Sequence, residues 1–159
     1  MRARPHNGYY WILHIKDHFS KYSFLYSLTD KTAAGVARCI TQWLGIVGIP
    51  KILQCDNSKE FKGILLVLRK KYRVKIINGR PRHPQIQGLG KQVNGVGKKK
   101  LRAWLAEHKD QGWSDALPDI VLAMNRQGHE ALGGSTTPYQ VFFNQASRWK
   151  DRVDIGTNV

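Results

Sequence analysis

The sequence predicts an α/β domain in which a mixed sheet is flanked by helices, and three observations predict it. Two aromatic and β-branched segments, Tyr9 to Ile15 (YYWILHI) and Ser23 to Leu28 (SFLYSL), are separated by a polar turn, the pattern of a hairpin. A segment with its apolar residues on one helical face follows at once. Further short apolar runs then alternate with helical stretches, and strands mixed with helices are the pattern of layered α/β packing.

Taken in order, Asp17 to Lys21 (DHFSK) supplies the turn between the first two strands. A helix begins at an N-cap at Thr29 or Asp30, and Ala33, Val36, Ala37, Ile40, Trp43 and Leu44 fall on its inward face. Gly48 and Pro50 end it, and Lys51 to Cys55 (KILQC) is a short strand that delivers Asp56 to its C-terminal tip. Ile64 to Tyr72 reads as helical and Val74 to Ile77 (VKII) as a strand. A Gly-, Pro- and Arg-rich loop covers Asn78 to Gln87. From about Gly88 to His108 the pattern is helical, with Leu89, Val93, Val96, Trp104 and Leu105 inward. Another helix runs from Ser114 to about His129 and stops before the Gly133-Gly134 break. Pro138 opens a last short helix, PYQVFF, as expected of proline in a first turn. The division is one domain over residues 1–146 and a polar tail over 147–159.

Charge is the unusual quantity in a chain of 159 residues. Lys and Arg number 26 against 11 Asp and Glu, a formal charge of +15 that runs through the middle of the chain. Such an excess attracts polyanions by phosphate contact and counterion release. Cys39 and Cys55 have no second pair nearby and the histidines lack ligand spacing, which argues against a disulfide framework or a Cys/His zinc site. The apolar runs are too short to span a bilayer and there is no signal-peptide core. The expectation is an intracellular protein, nuclear by inference from charge, with DNA as partner and no membrane contact.

Three segments are candidates for chemistry. Asp56, at a strand tip before Asn57 and Ser58, is placed to face a ligand, although an Asp there also caps turns. The loop RPRHPQIQG, Arg80 to Gly88, offers guanidiniums, an imidazole and carboxamides just before a helix, a donor-rich setting for phosphate. The run Lys98-Lys99-Lys100 with Arg102 lies on that helix; alone, such a run is an ordinary solvated face.

The order DNSKEF, then HPQIQG, then a helix with Asn94 resembles the integrase catalytic core of retroviruses and gypsy-type retrotransposons. ILHIKDHFSKYSFLYSL resembles that family's second and third strands, GIPKILQCDN its fourth, and STTPYQVFFN its closing helix, so the resemblance covers about residues 9–144 in order. It implies a ribonuclease H-like fold with a mixed five-stranded sheet, and a site of two Asp and one Glu that hold Mg2+ or Mn2+ for in-line displacement at phosphorus.

Carried over position by position, Asp56 matches the second Asp. Lys91 stands where the Glu belongs, 35 positions beyond Asp56 (91 − 56), in the segment Gly88 to Asn94. The first Asp belongs to a strand ahead of YYWILHI. The chain begins Met1-Arg2-Ala3-Arg4 with nothing acidic there, so the expectation is that the first, central strand is missing. Asp17 lies in a turn common in the family and is not its metal site. Ser58 replaces a turn glycine, Ile86 replaces a helix-capping Ser or Thr, and Gly90, Gly95 and Gly97 each weaken the helix by about 1 kcal/mol relative to Ala.

The leading expectation is a catalytically inactive, retroelement-derived integrase core, a pseudoenzyme with no cofactor. Its nucleic-acid contacts are Lys59, Arg80, Arg82, His83, Gln85, Lys91, Gln92, Asn94, Lys98 and Lys99, and Asp56 is vestigial. The alternatives are an active integrase or nuclease using Asp56 with Asp17 or Glu60, an interaction module that dimerises, and a relic without function. Of the tryptophans that would anchor a partner, Trp104 and Trp113 read as core and Trp149 lies in the tail.

Overall fold

A computed structural model describes residues 2–55, 63, 68, 70–78, 103, 104, 106 and 112–145. Strands β1 (Arg2–His6), β2 (Tyr9–Lys16) and β3 (Ser23–Leu28) form an antiparallel sheet in the order β1-β2-β3. Helix α1 (Ala33–Val47) leads to β4 (Ile52–Cys55), which pairs in parallel with β5 (Lys75–Asn78). Helix α2 (Trp113–Arg126), a 3-10 turn at Glu130–Leu132 and helix α3 (Pro138–Phe143) follow.

The β2–β3 register explains which residues are buried. Trp11 faces Leu28, Leu13 faces Tyr26 and Ile15 faces Phe24, and opposite residues share a side of the sheet. That side packs on α1: Leu13, Leu28, Val36, Cys39, Ile40, Trp43 and Leu44 form the main core, with Leu53 of β4 against it. The other side presents Ile12, His14 and Lys16 opposite Ser27, Leu25 and Ser23. Here α2 seats Trp113 and Leu117 on Ile12 and Leu25, and Trp104 closes over Ala116 and Ile120. The antiparallel sheet therefore has a helix on each side. Each fully buried Leu, Ile or Val contributes roughly 1.5–3 kcal/mol, so the alternation of β2 and β3 sets both layers.

The mixed sheet flanked by helices is the expected one, but it begins with a strand where the sequence reads as lacking one. β1 pairs antiparallel with β2 through Asn7-Gly8, whose φ values of 50° and 76° are both positive. Asn-Gly is the pair that two-residue hairpin turns favour. Pro5 lacks an N–H, and β1 tolerates it as the outer strand of the three.

Other boundaries move by a few residues. The cap of α1 is Thr32, whose hydroxyl accepts from the Gly35 N–H at 3.1 Å. Asp30 instead accepts from the Thr32 backbone N–H at 2.8 Å and orients the cap. Gly48, at φ 81°, closes the helix by donating to the Leu44 carbonyl. The strand read as Val74 to Ile77 runs Lys75–Asn78, while Val74 is a buried anchor at 2% exposure. The helix read to His129 stops at Arg126. Thr137, Pro138 and Gln140 build a full capping box at the start of α3.

Candidate nucleic-acid interface

β4 and β5 run in parallel with Cys55 opposite Asn78. The chain thus leaves both strands at one end of the sheet. From β4 it continues directly into Asp56, and from β5 into the arginine-rich segment that starts at Arg80. Two of the three candidate segments therefore set out from adjacent strands about 4.8 Å apart, at the C-terminal end where ligands of α/β sheets are bound. Asp56 and Lys91 lie outside the described residues. So do Lys59, Glu60, Arg80, Arg82, His83, Gln85, Gln92, Asn94, Lys98, Lys99, Trp149 and the tail over 147–159.

Asp17, the substitute carboxylate weighed for an active site, is committed to its turn. Its Oδ2 accepts from the Ser20 N–H at 2.7 Å and from the Ser20 hydroxyl at 2.6 Å. The Asp17 N–H donates to the Tyr22 carbonyl at 2.8 Å, and Lys21 takes φ 64° to complete the reversal. The carboxylate orders the β2–β3 connection. Trp104 and Trp113 are 3% and 4% exposed and belong to the core, not to a docking surface.

The integrase core domain family matches residues 2–84. The chain belongs to the integrase core domain family. It is 30% identical over 138 residues to the Pol polyprotein of equine infectious anemia virus (strain Wyoming), across 85% of this chain and 12% of that protein. It is 22% identical over 151 residues to the KRAB-A domain-containing protein 2 of Homo sapiens, across 94% of this chain and 30% of that one. The chain thus spans well under a third of the viral relative and about a third of the human one. Among solved structures, the HTLV-2 integrase catalytic core domain in complex with magnesium superposes in a trimeric form (TM-score 0.66, 18% identity) and a dimeric form (TM-score 0.64, 17% identity). Each covers 82% of this chain and 91% of that one, and the likeness is one of fold.

Among the described residues no group of three or more His, Cys, Asp and Glu side chains is placed to hold a metal ion.

The charge is unevenly distributed along the sequence. Between residues 61 and 106 the integrase core carries 13 Lys and Arg and no Asp or Glu, read directly from the sequence. Within the described part of that stretch Lys70, Lys71, Arg73 and Lys75 are exposed. On the α2 side of the sheet, burial lowers the Lys16 ammonium pKa and the Lys21 charge adds to the effect. His129, whose Nε2 lies 3.5 Å from Lys16 Nζ, is pushed below its ordinary value by burial and then by Lys16 and Lys21. Its Nδ1 accepts from the Ala131 N–H at 3.2 Å, which needs that nitrogen unprotonated.

Four structural residues escape the sequence reading. Asn7-Gly8 carries a recognisable hairpin signal. Gly112 has none in the sequence: a Cβ there would run into the His6 imidazole, which lies against the start of α2. Asn125 sits at a helix position indistinguishable from a surface polar residue, yet it is 1% exposed.

Proposed function

We propose that this integrase core binds nucleic acid through its basic central stretch and does not catalyse strand cutting or joining. The observation that carries the reading is Lys91, which stands 35 positions beyond Asp56 (91 − 56) where the family has its Glu. An ammonium repels the metal ions that two-metal phosphoryl transfer requires. The same substitution adds to the cationic stretch and suits a phosphate contact. Asp56 is vestigial in this reading, and Lys59, Arg80, Arg82, His83, Gln85, Gln92, Asn94, Lys98 and Lys99 join Lys91 as the contact set. Phosphate contacts of this kind give affinity without sequence choice. Descent from a retroelement, retroviral or of the gypsy type, and residence in the nucleus belong to the same reading. Similarity to both a viral Pol polyprotein and a human protein supports the first, and chromosomal DNA as ligand calls for the second.

The test pairs binding with chemistry. The chain is incubated with supercoiled plasmid and Mg2+ or Mn2+, while a labelled duplex is titrated at several salt concentrations. The expected result is no nicking above a protein-free control, and an affinity that falls steeply with salt, each neutralised phosphate adding about 0.9 to the log–log slope. Metal-dependent nicking that Asp56→Ala abolishes would overturn inactivity, and an affinity indifferent to salt would overturn phosphate binding.

A further inference from the structure

The strongest feature left unused lies at the opposite end of the β4–β5 pair from Asp56. Lys51 precedes β4, and its carbonyl accepts from the Lys75 N–H at 3.1 Å, so these two lysines start adjacent strands. Lys70 and Lys71 are on the last helical turn before β5, and Arg73 turns the chain into the strand at φ 54°. All five side chains are exposed. The residues between them are anchored. Leu68 is 3% exposed and Val74 2%, and Tyr72 packs against the main core. Burial therefore alternates along 71–77, and Lys71, Arg73 and Lys75 point away from the core at every second position.

Such a rim gathers exposed cations at the start of two adjacent strands. The stretch from 61 to 106 that holds four of them has no acidic residue. A polyanion laid across the rim meets positive charge complementary to its own. The anchors between the cations also hold them in place beforehand, which lowers the ordering cost of binding. β4 has four residues, or about 13 Å of extended chain, so the rim and the Asp56 end are about that far apart.

We propose that Lys51, Lys70, Lys71, Arg73 and Lys75 form a second surface for the phosphate backbone of duplex DNA, separate from the Asp56 end. The proposal rests on the nucleic-acid-binding reading above and adds a contact set outside the segments named there. A duplex held at both ends of the β4–β5 pair runs along the sheet edge and does not stop at the vestigial site.

The experiment measures binding of the 159-residue chain to a fluorescent duplex by anisotropy as salt is varied. Lys71→Gln with Lys75→Gln is compared with Lys31→Gln and Arg38→Gln, which remove the same charge from exposed sites on and before α1. The rim pair should lower the log–log salt slope by about 1.8, two phosphates at about 0.9 each, and the control pair should leave it unchanged. Lys51→Gln with Lys70→Gln should repeat the rim result, so the outcome does not hang on one variant folding; a circular dichroism melt verifies each. Equal slopes for rim and control variants overturn the second surface while leaving DNA binding in place. Absence of any DNA binding by the parent chain overturns both. Binding to polyglutamate as tight and as rim-dependent as to DNA overturns duplex DNA as the partner and points to an acidic protein.

Discussion

Asn125 and Ser23, 102 positions apart, exchange two hydrogen bonds of 2.8 Å: the Ser23 N–H donates to Asn125 Oδ1, and Asn125 Nδ2 donates to the Ser23 carbonyl. The carboxamide serves the start of β3 as a neighbouring strand would. Both residues are buried, at 1% and 2% exposure, so neither backbone group has water as a substitute. Asn125→Ala should therefore destabilise the chain by about 2–4 kcal/mol, the cost of two buried groups left without partners. Asn125→Asp should cost at least as much despite its similar shape, because a carboxylate cannot donate to the Ser23 carbonyl. Urea denaturation of the three proteins checks this; a loss of only a few tenths for Asn125→Ala would mean that α2 is held by its apolar contacts alone.

Gly112 and His6 make a second long-range pair. A methyl group at 112 would collide with the imidazole, whose Nδ1 shares a 2.7 Å hydrogen bond with the Ser114 hydroxyl. Gly112→Ala should cost roughly 1–3 kcal/mol, as overpacking does. Adding His6→Ala should recover much of that loss, since contacting residues couple. Strict additivity in a double-mutant cycle would contradict the steric account.

The pH dependence follows from His129. Its pKa is lowered in the folded chain, first by burial and then by Lys16 and Lys21, with Glu130 opposing. As pH falls through the ordinary value of 6.5, the unfolded chain takes up a proton that the folded one resists. Stability contributed by this group is present above that pH and declines below it, down to the lowered value. His129→Asn, which keeps an acceptor for the Ala131 N–H, should flatten the change in melting temperature over that window. A melt whose acid slope is untouched by the substitution would place the titration elsewhere.

Asp17 distinguishes a turn from a metal site. Loss of its two bonds to Ser20 in Asp17→Ala should lower stability by about 1–3 kcal/mol. Saturating Mg2+ should shift the melt of parent and variant no more than sodium chloride of equal ionic strength does, since a ligand stabilises only a state that binds it. A Mg2+-specific stabilisation lost in Asp17→Ala would revive the alternative active site.

Much of the architecture was legible because period and charge belong to consecutive residues. The aromatic and β-branched runs Tyr9 to Ile15 and Ser23 to Leu28 mark β2 and β3, and the period of two of a strand fixes which side chains share a face. The six inward positions predicted for α1 pack on the sheet. Lys91, the order of motifs and the +15 charge are facts of sequence alone.

What escaped depended on the chain returning to itself. Residues 2–6 carry no β-branched, large aliphatic or Phe, Tyr or Trp side chain that would mark a strand, and β1 forms where Asn7-Gly8 folds it onto β2. Asn125 looks like a surface residue until Ser23 arrives from across the chain, and nothing local marks Gly112 before His6 lies against it. Lys51 and Lys75 are ordinary solvated lysines in sequence, and the parallel pairing of β4 and β5 makes them neighbours. The sequence by itself determined the composition of each layer and the family, since both are carried by local pattern. Only the tertiary structure decided which polar groups satisfy one another and which cations share a rim, because those relations arise between strands and helices that the sequence keeps far apart.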